Sequence, residues 1–177
     1  MLLIKAGTAD FEKIKNAYID IAENTPDIDK YARYEYGKHP NDEEITDYIA
    51  DGSMYMLIDG DAIAGVVAIT MFQGEDYHPV QWQIDASDNE VMVLHLLGIV
   101  PPYQGKGAGK EMIRKALDLA KEKSLKSCRL DTLASNIPAQ RFYEKMGFLY
   151  CGKQHWYAEN TGWTDFYLYE FVLEDVL

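Results

Sequence analysis

The sequence predicts an α/β (α+β) fold: a mixed central β-sheet of about six to seven strands flanked by about four helices. Three observations predict it. The nearly continuous apolar run Val91 to Val100 ends at Pro101 and Pro102, passes through a loop with Gly105, Gly107 and Gly109, and leads into an amphipathic helix and a further strand at Ser127 to Thr132. A strand, a helix and a second strand in that order require parallel pairing. Upstream, Met54 to Ile58 and Ala62 to Met71 flank Asp59 Gly60 Asp61, a hairpin signal. Downstream, Phe148 to Trp156 and Thr164 to Leu173 form a closing antiparallel pair across the polar loop Ala158 to Trp163.

The remaining elements follow in order. Leu2 to Ala6 reads as a first strand, broken at Gly7, with Thr8 placed to cap a helix through about Glu23. Phe11, Ile14, Ala17, Tyr18 and Ile21 form its apolar stripe. From Asn24 to Pro40 there is no clean period, but Tyr31, Tyr34, Tyr36 and His39 fall there; they either line a pocket or pack under a loop. Asn41 caps a short helix with Ile45, Tyr48 and Ile49 on one face. Phe72 to Glu90 is polar and turn-rich around a short strand candidate, Val80 to Ile84, and reads as a loop over the site, with Tyr77 to Trp82 a second aromatic cluster. In the helix after the glycines, Ile113, Ala116, Leu117 and Ala120 recur at i, i+3, i+4 and i+7. Asn136 caps a last helix with Pro138 in its first turn, and Gly147 occupies the C-terminal position that favours a left-handed residue.

At 177 residues the chain is expected to form one domain over residues 1–177, large enough to bury a core without disulfide or metal. No stretch is apolar enough to span a bilayer and Met1 to Lys5 lacks a signal-peptide pattern, which argues for a soluble cytoplasmic protein. Cys128 and Cys151 lack metal-ligand or redox spacing and read as buried free thiols. The net charge of −12 opposes nonspecific binding to nucleic acid or anionic membranes. It mildly favours a neutral or cationic ligand, although solubility alone accounts for it.

The glycine loop is the chemical centre of the sequence. Glycines let a backbone approach a ligand closely, and the first amides of a helix have no intrahelical acceptor, so a phosphate can take them. Two phosphate motifs fail here. A P-loop needs a glycine where Gln104 stands and a hydroxyl where Glu111 follows Lys110; a Rossmann fingerprint needs a third glycine where the chain has Lys110 or Met112.

What fits is Gln or Arg, two residues, Gly, one residue, Gly or Ala, met by Gln104, Gly107 and Gly109 after a strand and a proline. This resembles the signature of the GNAT superfamily of acyl-CoA-dependent N-acyltransferases. Asn136, Ala139, Phe142, Tyr143, Gly147 and Phe148 resemble that family's second half-motif. The resemblance implies that the two central parallel strands splay apart and that a pantetheine arm of acetyl-CoA lies in the gap, bonded to backbone groups of Leu97 and Ile99. It implies a pyrophosphate on the amides of Gly105, Lys106, Gly107, Ala108, Gly109 and Lys110 beside Gln104, with Lys106 and Lys110 adding charge and Asn136 a further cofactor contact. Tyr143 becomes the general acid for the leaving thiolate, since a phenol with a pKa of about 10 stays protonated at neutral pH.

No glutamate stands where some relatives of that family carry a base. His95, expected to share a strand face with Leu97 and Ile99, is the candidate base, unless the amine loses its proton to solvent. The expected activity is N-acetyl transfer from acetyl-CoA to an amine acceptor, by direct attack and without metal. A noncatalytic acyl-CoA-binding sensor on the same fold is the alternative. Trp156, Trp163 and the aromatic strand Phe166 to Phe171 supply a homodimer surface as readily as core.

Overall fold

The computed structural model describes residues 1–173. Seven strands, β1 (Leu2–Lys5), β2 (Met54–Asp59), β3 (Ala62–Thr70), β4 (Val91–Ile99), β5 (Ser127–Leu133), β6 (Leu149–Ala158) and β7 (Gly162–Val172), form one sheet in the order β1-β2-β3-β4-β5-β7-β6. Four α-helices accompany it: α1 (Phe11–Asn24), α2 (Asp42–Ala50), α3 (Ala108–Glu122) and α4 (Ile137–Lys145). β4 and β5 pair parallel across the α3 crossover, and the other neighbours pair antiparallel. The last strand returns between β5 and β6, so that β6 forms an edge.

The alternation of side chains sorts the sheet into two packed faces. Met92, Leu94, Cys128 and Leu130 bury against Met112, Ile113, Ala116 and Ala120 of α3, and Tyr143 of α4 joins this cluster. On the other face Ile14, Tyr18 and Ile21 of α1 and Ile45 and Ile49 of α2 pack on Met54, Met56, Val66 and Ala68. The apolar stripes expected for α1, α2 and α3 are therefore the buried ones. Asn41 closes a capping box at the start of α2: its side chain accepts from the Glu44 N–H while Glu44 accepts from the Asn41 N–H, both at 2.9 Å.

Two local expectations are corrected. Thr8 does not cap α1; Thr8–Asp10 forms a 3-10 turn, and Asp10 takes the Gly7 N–H at 3.0 Å. α1 starts at Phe11 with Asp10 in the N-cap position, so Thr8 lies two residues too early to cap it. Val80 to Ile84 is not a strand, because its backbone is satisfied by side chains: the Gln83 N–H donates to Glu170, and the Ile84 carbonyl accepts from Arg129. Arg129, buried on β5, also donates to Glu170 at 2.7 Å and to Gln73, and its guanidinium lies 4.3 Å from the Trp82 ring centroid. This buried pair pins the 72–90 connection across the sheet; removing one partner of such a pair typically costs about 3–5 kcal/mol. Trp156 packs on Tyr77 with ring centroids 6.0 Å apart, whereas Trp163 is exposed. Cys128 is buried and Cys151 half-buried, both as free thiols.

Candidate active site

The geometry of the site begins with one irregularity in β4. Pairing with β3 shifts register between Val66 and Ala68, and Leu96 opposite the shift adopts φ 51°. A left-handed residue in a strand marks a bulge, and a bulge inverts the alternation of faces downstream of it. Leu96 therefore stays on the α1/α2 face, while Leu97 and Ile99 pack with the α3 cluster. His95 was expected to share a face with Leu97 and Ile99; the bulge separates them, and its ring instead stacks on Tyr48 of α2 at 5.8 Å. The Tyr18 hydroxyl holds the bulge by donating to the Leu96 carbonyl at 2.8 Å.

The bulge also ends the central pairing. β4 and β5 are registered from Val91 opposite Ser127 to Leu94 opposite Leu130, and no further. The next residues, His95 and Asp131, stand on either side of the point where the strands part. Both point to the α1/α2 face, since Leu94 and Leu130 point to the other. A cavity of about 780 Å³ occupies the gap and joins the two faces of the sheet: Phe142 and Tyr143 line it from α4, Tyr34, Tyr48, His95 and Asp131 from the opposite side.

At one end of this cavity lies the glycine loop. Gly107 has φ 90° and is the N-cap residue of α3, a backbone that side-chain-bearing residues adopt only under strain. A Cβ at Gly109 would lie 3.2 Å from the Phe142 ring, so glycine there lets α3 approach α4. Gln104 is a tether: its side-chain amide donates to the Ile99 carbonyl and to Thr25 Oγ1, both at 2.8 Å, and ties the loop to the end of β4 and to the end of α1. Lys106 and Lys110 are exposed and make no ion pair among the described residues. An anion at this helix start would meet free amides, the positive end of the helix dipole and two available ammonium groups.

Of the backbone groups expected to face a ligand, the Ile99 carbonyl accepts from Gln104, and the Leu97 carbonyl lies 3.5 Å from the Tyr34 hydroxyl. Asn136 caps α4 by accepting the Ala139 N–H at 3.3 Å, and it borders the cavity.

Two titratable side chains, Tyr143 and His95, flank the gap. Tyr143 is buried among Phe142, Phe148 and Tyr169, with ring centroids at 5.5, 5.8 and 6.2 Å. Burial first, then the Asp131 carboxylate and the Cys128 thiol, push its phenol well above the ordinary value, so it is a proton donor throughout the physiological range. The tautomer of His95 follows from its neighbour. Thr70 Oγ1 has one proton, which it donates to the Phe72 carbonyl at 2.9 Å; it must therefore accept from His95 Nε2 at 3.2 Å. The lone pair of the imidazole is left on Nδ1. Burial lowers the His95 pKa, with His39 adding to the fall and Asp131 opposing it, so the ring is neutral at pH 7.

A family model described as Acetyltransferase (GNAT) family matches residues 16–148. The chain belongs to the GNAT family. Streptothricin acetyltransferase of Streptomyces lavendulae is 33% identical over 64 residues, which is 36% of this chain and 34% of that protein. The curated relatives matched first are spanned over only 34% to 56% of their own lengths. Among solved structures, a GNAT-family acetyltransferase from Streptococcus agalactiae superposes with a TM-score of 0.73 at 21% identity, covering 98% of this chain and 96% of that one. The protein yncA of Salmonella typhimurium, solved with its cofactor acetyl-CoA, gives 0.67 at 15% identity over 100% and 96%.

Tyr143, His95, Asn136, Leu97, Ile99 and, from the glycine loop, Gln104, Gly105, Gly107, Gly109 and Lys110 line one cavity together with Tyr31, Tyr34 and His39, whereas Lys106 and Ala108 of the loop lie outside its lining. Tyr36, Tyr77 and Trp82 are elsewhere: Tyr36 donates to Asp42, Tyr77 to Asp131 at 2.6 Å, and Trp82 covers Arg129. Asp131, Thr70 and Tyr48 were missed as site residues. A carboxylate alternating with apolar positions in β5 was the available signal for Asp131.

Proposed function

We propose that this GNAT chain is an acetyl-CoA-dependent N-acetyltransferase in which a primary amine attacks the thioester directly. The observation that carries the reading is a single cavity with an anion cradle at one end and a buried phenol and a neutral imidazole at the gap. The pyrophosphate of acetyl-CoA would take the amides from Gly105 through Lys106, Gly107, Ala108 and Gly109 to Lys110, with the Lys106 and Lys110 ammonium groups adding charge-assisted bonds. The acyl arm would run between β4 and β5 along Leu97 and Ile99 toward Tyr143, with Asn136 at its flank. Gln104 would act through the loop it tethers.

In this reading His95 Nδ1 takes a proton from the bound ammonium, and the freed nitrogen lone pair attacks the thioester carbonyl carbon. The tetrahedral adduct collapses with cleavage of the C–S bond: the Tyr143 O–H gives its proton to the leaving sulfur, the remaining extra proton on the adduct nitrogen restores the phenol, and His95 releases the proton it took to solvent. Products are an acetamide and free CoA. A noncatalytic acyl-CoA sensor would have no use for a proton donor and a proton acceptor held in one gap.

The test is release of free thiol from acetyl-CoA in the presence of an amine panel, with wild-type protein and with Tyr143→Phe. The expected result is amine-dependent thiol release, reduced in kcat by about 10²-fold or more in the variant while acetyl-CoA still binds. Acetyl-CoA binding with no amine-dependent release by a folded protein would contradict the reading.

A further inference from the structure

Two carboxylates line the cavity, the exposed Asp27 after α1 and Asp131 at the gap, and among the described residues no cationic side chain pairs with Asp131. Lys110 and the α3 amides stand at the cradle end. At the gap the charged group is Asp131, the first residue of β5 beyond its pairing with β4, opposite His95. Tyr77 donates to its Oδ2 at 2.6 Å, which uses one of about four lone-pair positions on a carboxylate. The nearest basic residue on its own strand face, Arg129, is committed to Glu170, Gln73 and Ile84. Among the described residues that line the cavity, the other basic side chains are His95, held neutral, and His39, whose Nδ1 is held by Glu44 at 2.9 Å. A half-buried carboxylate facing an apolar, aromatic space is costly unless a cation meets it.

We propose that Asp131 is the anchor of the acceptor, which enters as a small primary ammonium carrying no carboxylate beside its amino group. The inference rests on the acetyltransferase reading above and narrows its substrate class. An ammonium on Asp131 would lie in the cavity that His95 and Tyr143 also line, where the rings of Tyr34 and Tyr48, the latter stacked on His95, give its carbon chain an apolar wall that tolerates positive charge. A substrate carboxylate next to that ammonium would meet Asp131 with Lys110 away at the cradle end and, among the described residues, no guanidinium or ammonium group lining the gap to neutralise it.

Two measurements test this. In wild-type protein, phenethylamine and phenylalanine amide are compared with phenylalanine, which differs by the carboxylate alone from the first and by its charge from the second. We expect kcat/KM at least about 10-fold higher for the two carboxylate-free amines, and equal or better use of phenylalanine would overturn the assignment. In Asp131→Asn, which keeps an acceptor for Tyr77, we expect the KM for the amine to rise about 10- to 100-fold with the acetyl-CoA dissociation constant unchanged. An unchanged amine KM would overturn it, as would transfer to carboxylate-bearing amines with none to carboxylate-free ones; acetyl-CoA binding with no transfer to any amine contradicts the acetyltransferase reading itself. Failure of the wild-type protein to bind acetyl-CoA would instead contradict the function on which the inference rests.

Discussion

Thr70 spends its one hydroxyl proton on the Phe72 carbonyl, and that single fact leaves His95 with its lone pair on Nδ1. The burial that lowers the His95 pKa has a signed consequence for rate. An imidazolium cannot accept a proton, so kcat at saturating amine should fall with decreasing pH along a limb centred below about 6.5, the ordinary histidine value, and be level with respect to this group above it. His95→Ala should remove that limb and lower kcat about 10²-fold at pH 7; an unchanged pH–rate profile would show that solvent takes the proton. Residue positions were legible from sequence where they depend on local spacing. Tyr143 and Asn136 fall at fixed offsets on one helix, and Gly107 at the turn before another. Asp131 was not legible, because its place opposite His95 depends on the register of two parallel strands, which is set by how α3 docks rather than by either strand's composition.

The decisive element is β4, whose bulge redirects its second half. Without it, β4 would continue to pair with β5 and the cavity between them would be filled. The bulge was invisible in the apolar run because Leu96 takes a left-handed backbone without the glycine that usually marks one. The same local event overturned the expected face of His95. Strain at Leu96 persists because its carbonyl is held by Tyr18 across from α1. Tyr18→Phe should therefore destabilise the protein by about 1–3 kcal/mol, the cost of leaving a buried carbonyl without its donor, read as a lower midpoint in urea with an unchanged slope. Stability equal to wild type would mean that the bulge needs no tether from α1. The cradle, by contrast, was readable as an element, since proline stop, glycine turn and amphipathic helix are each signalled by residues within a few positions of one another.

At the scale of the whole molecule, the order of strands and helices was legible from periodicity, as was the hairpin at Gly60 and the antiparallel closing pair. The insertion of β7 between β5 and β6 was not, since strand order within a sheet is decided by which edges are left open after the crossover forms. The 72–90 connection was misread in part for a related reason: buried side chains of Arg129 and Glu170 satisfy its backbone in place of a ladder, a long-range effect with no local signature. The assembled fold puts the glycine loop, the parted sheet, His95 and Tyr143 along one cavity, and the proposed function requires acetyl-CoA to occupy it. Calorimetric titration of the wild-type protein with acetyl-CoA, CoA and ATP, beside Gly107→Val, tests this most directly. The account predicts binding of acetyl-CoA and CoA in the micromolar range, about −8 kcal/mol, no comparable binding of ATP, and at least about 10-fold weaker acetyl-CoA binding in a folded Gly107→Val. A well-folded wild-type protein that binds ATP but neither acetyl-CoA nor CoA would contradict it.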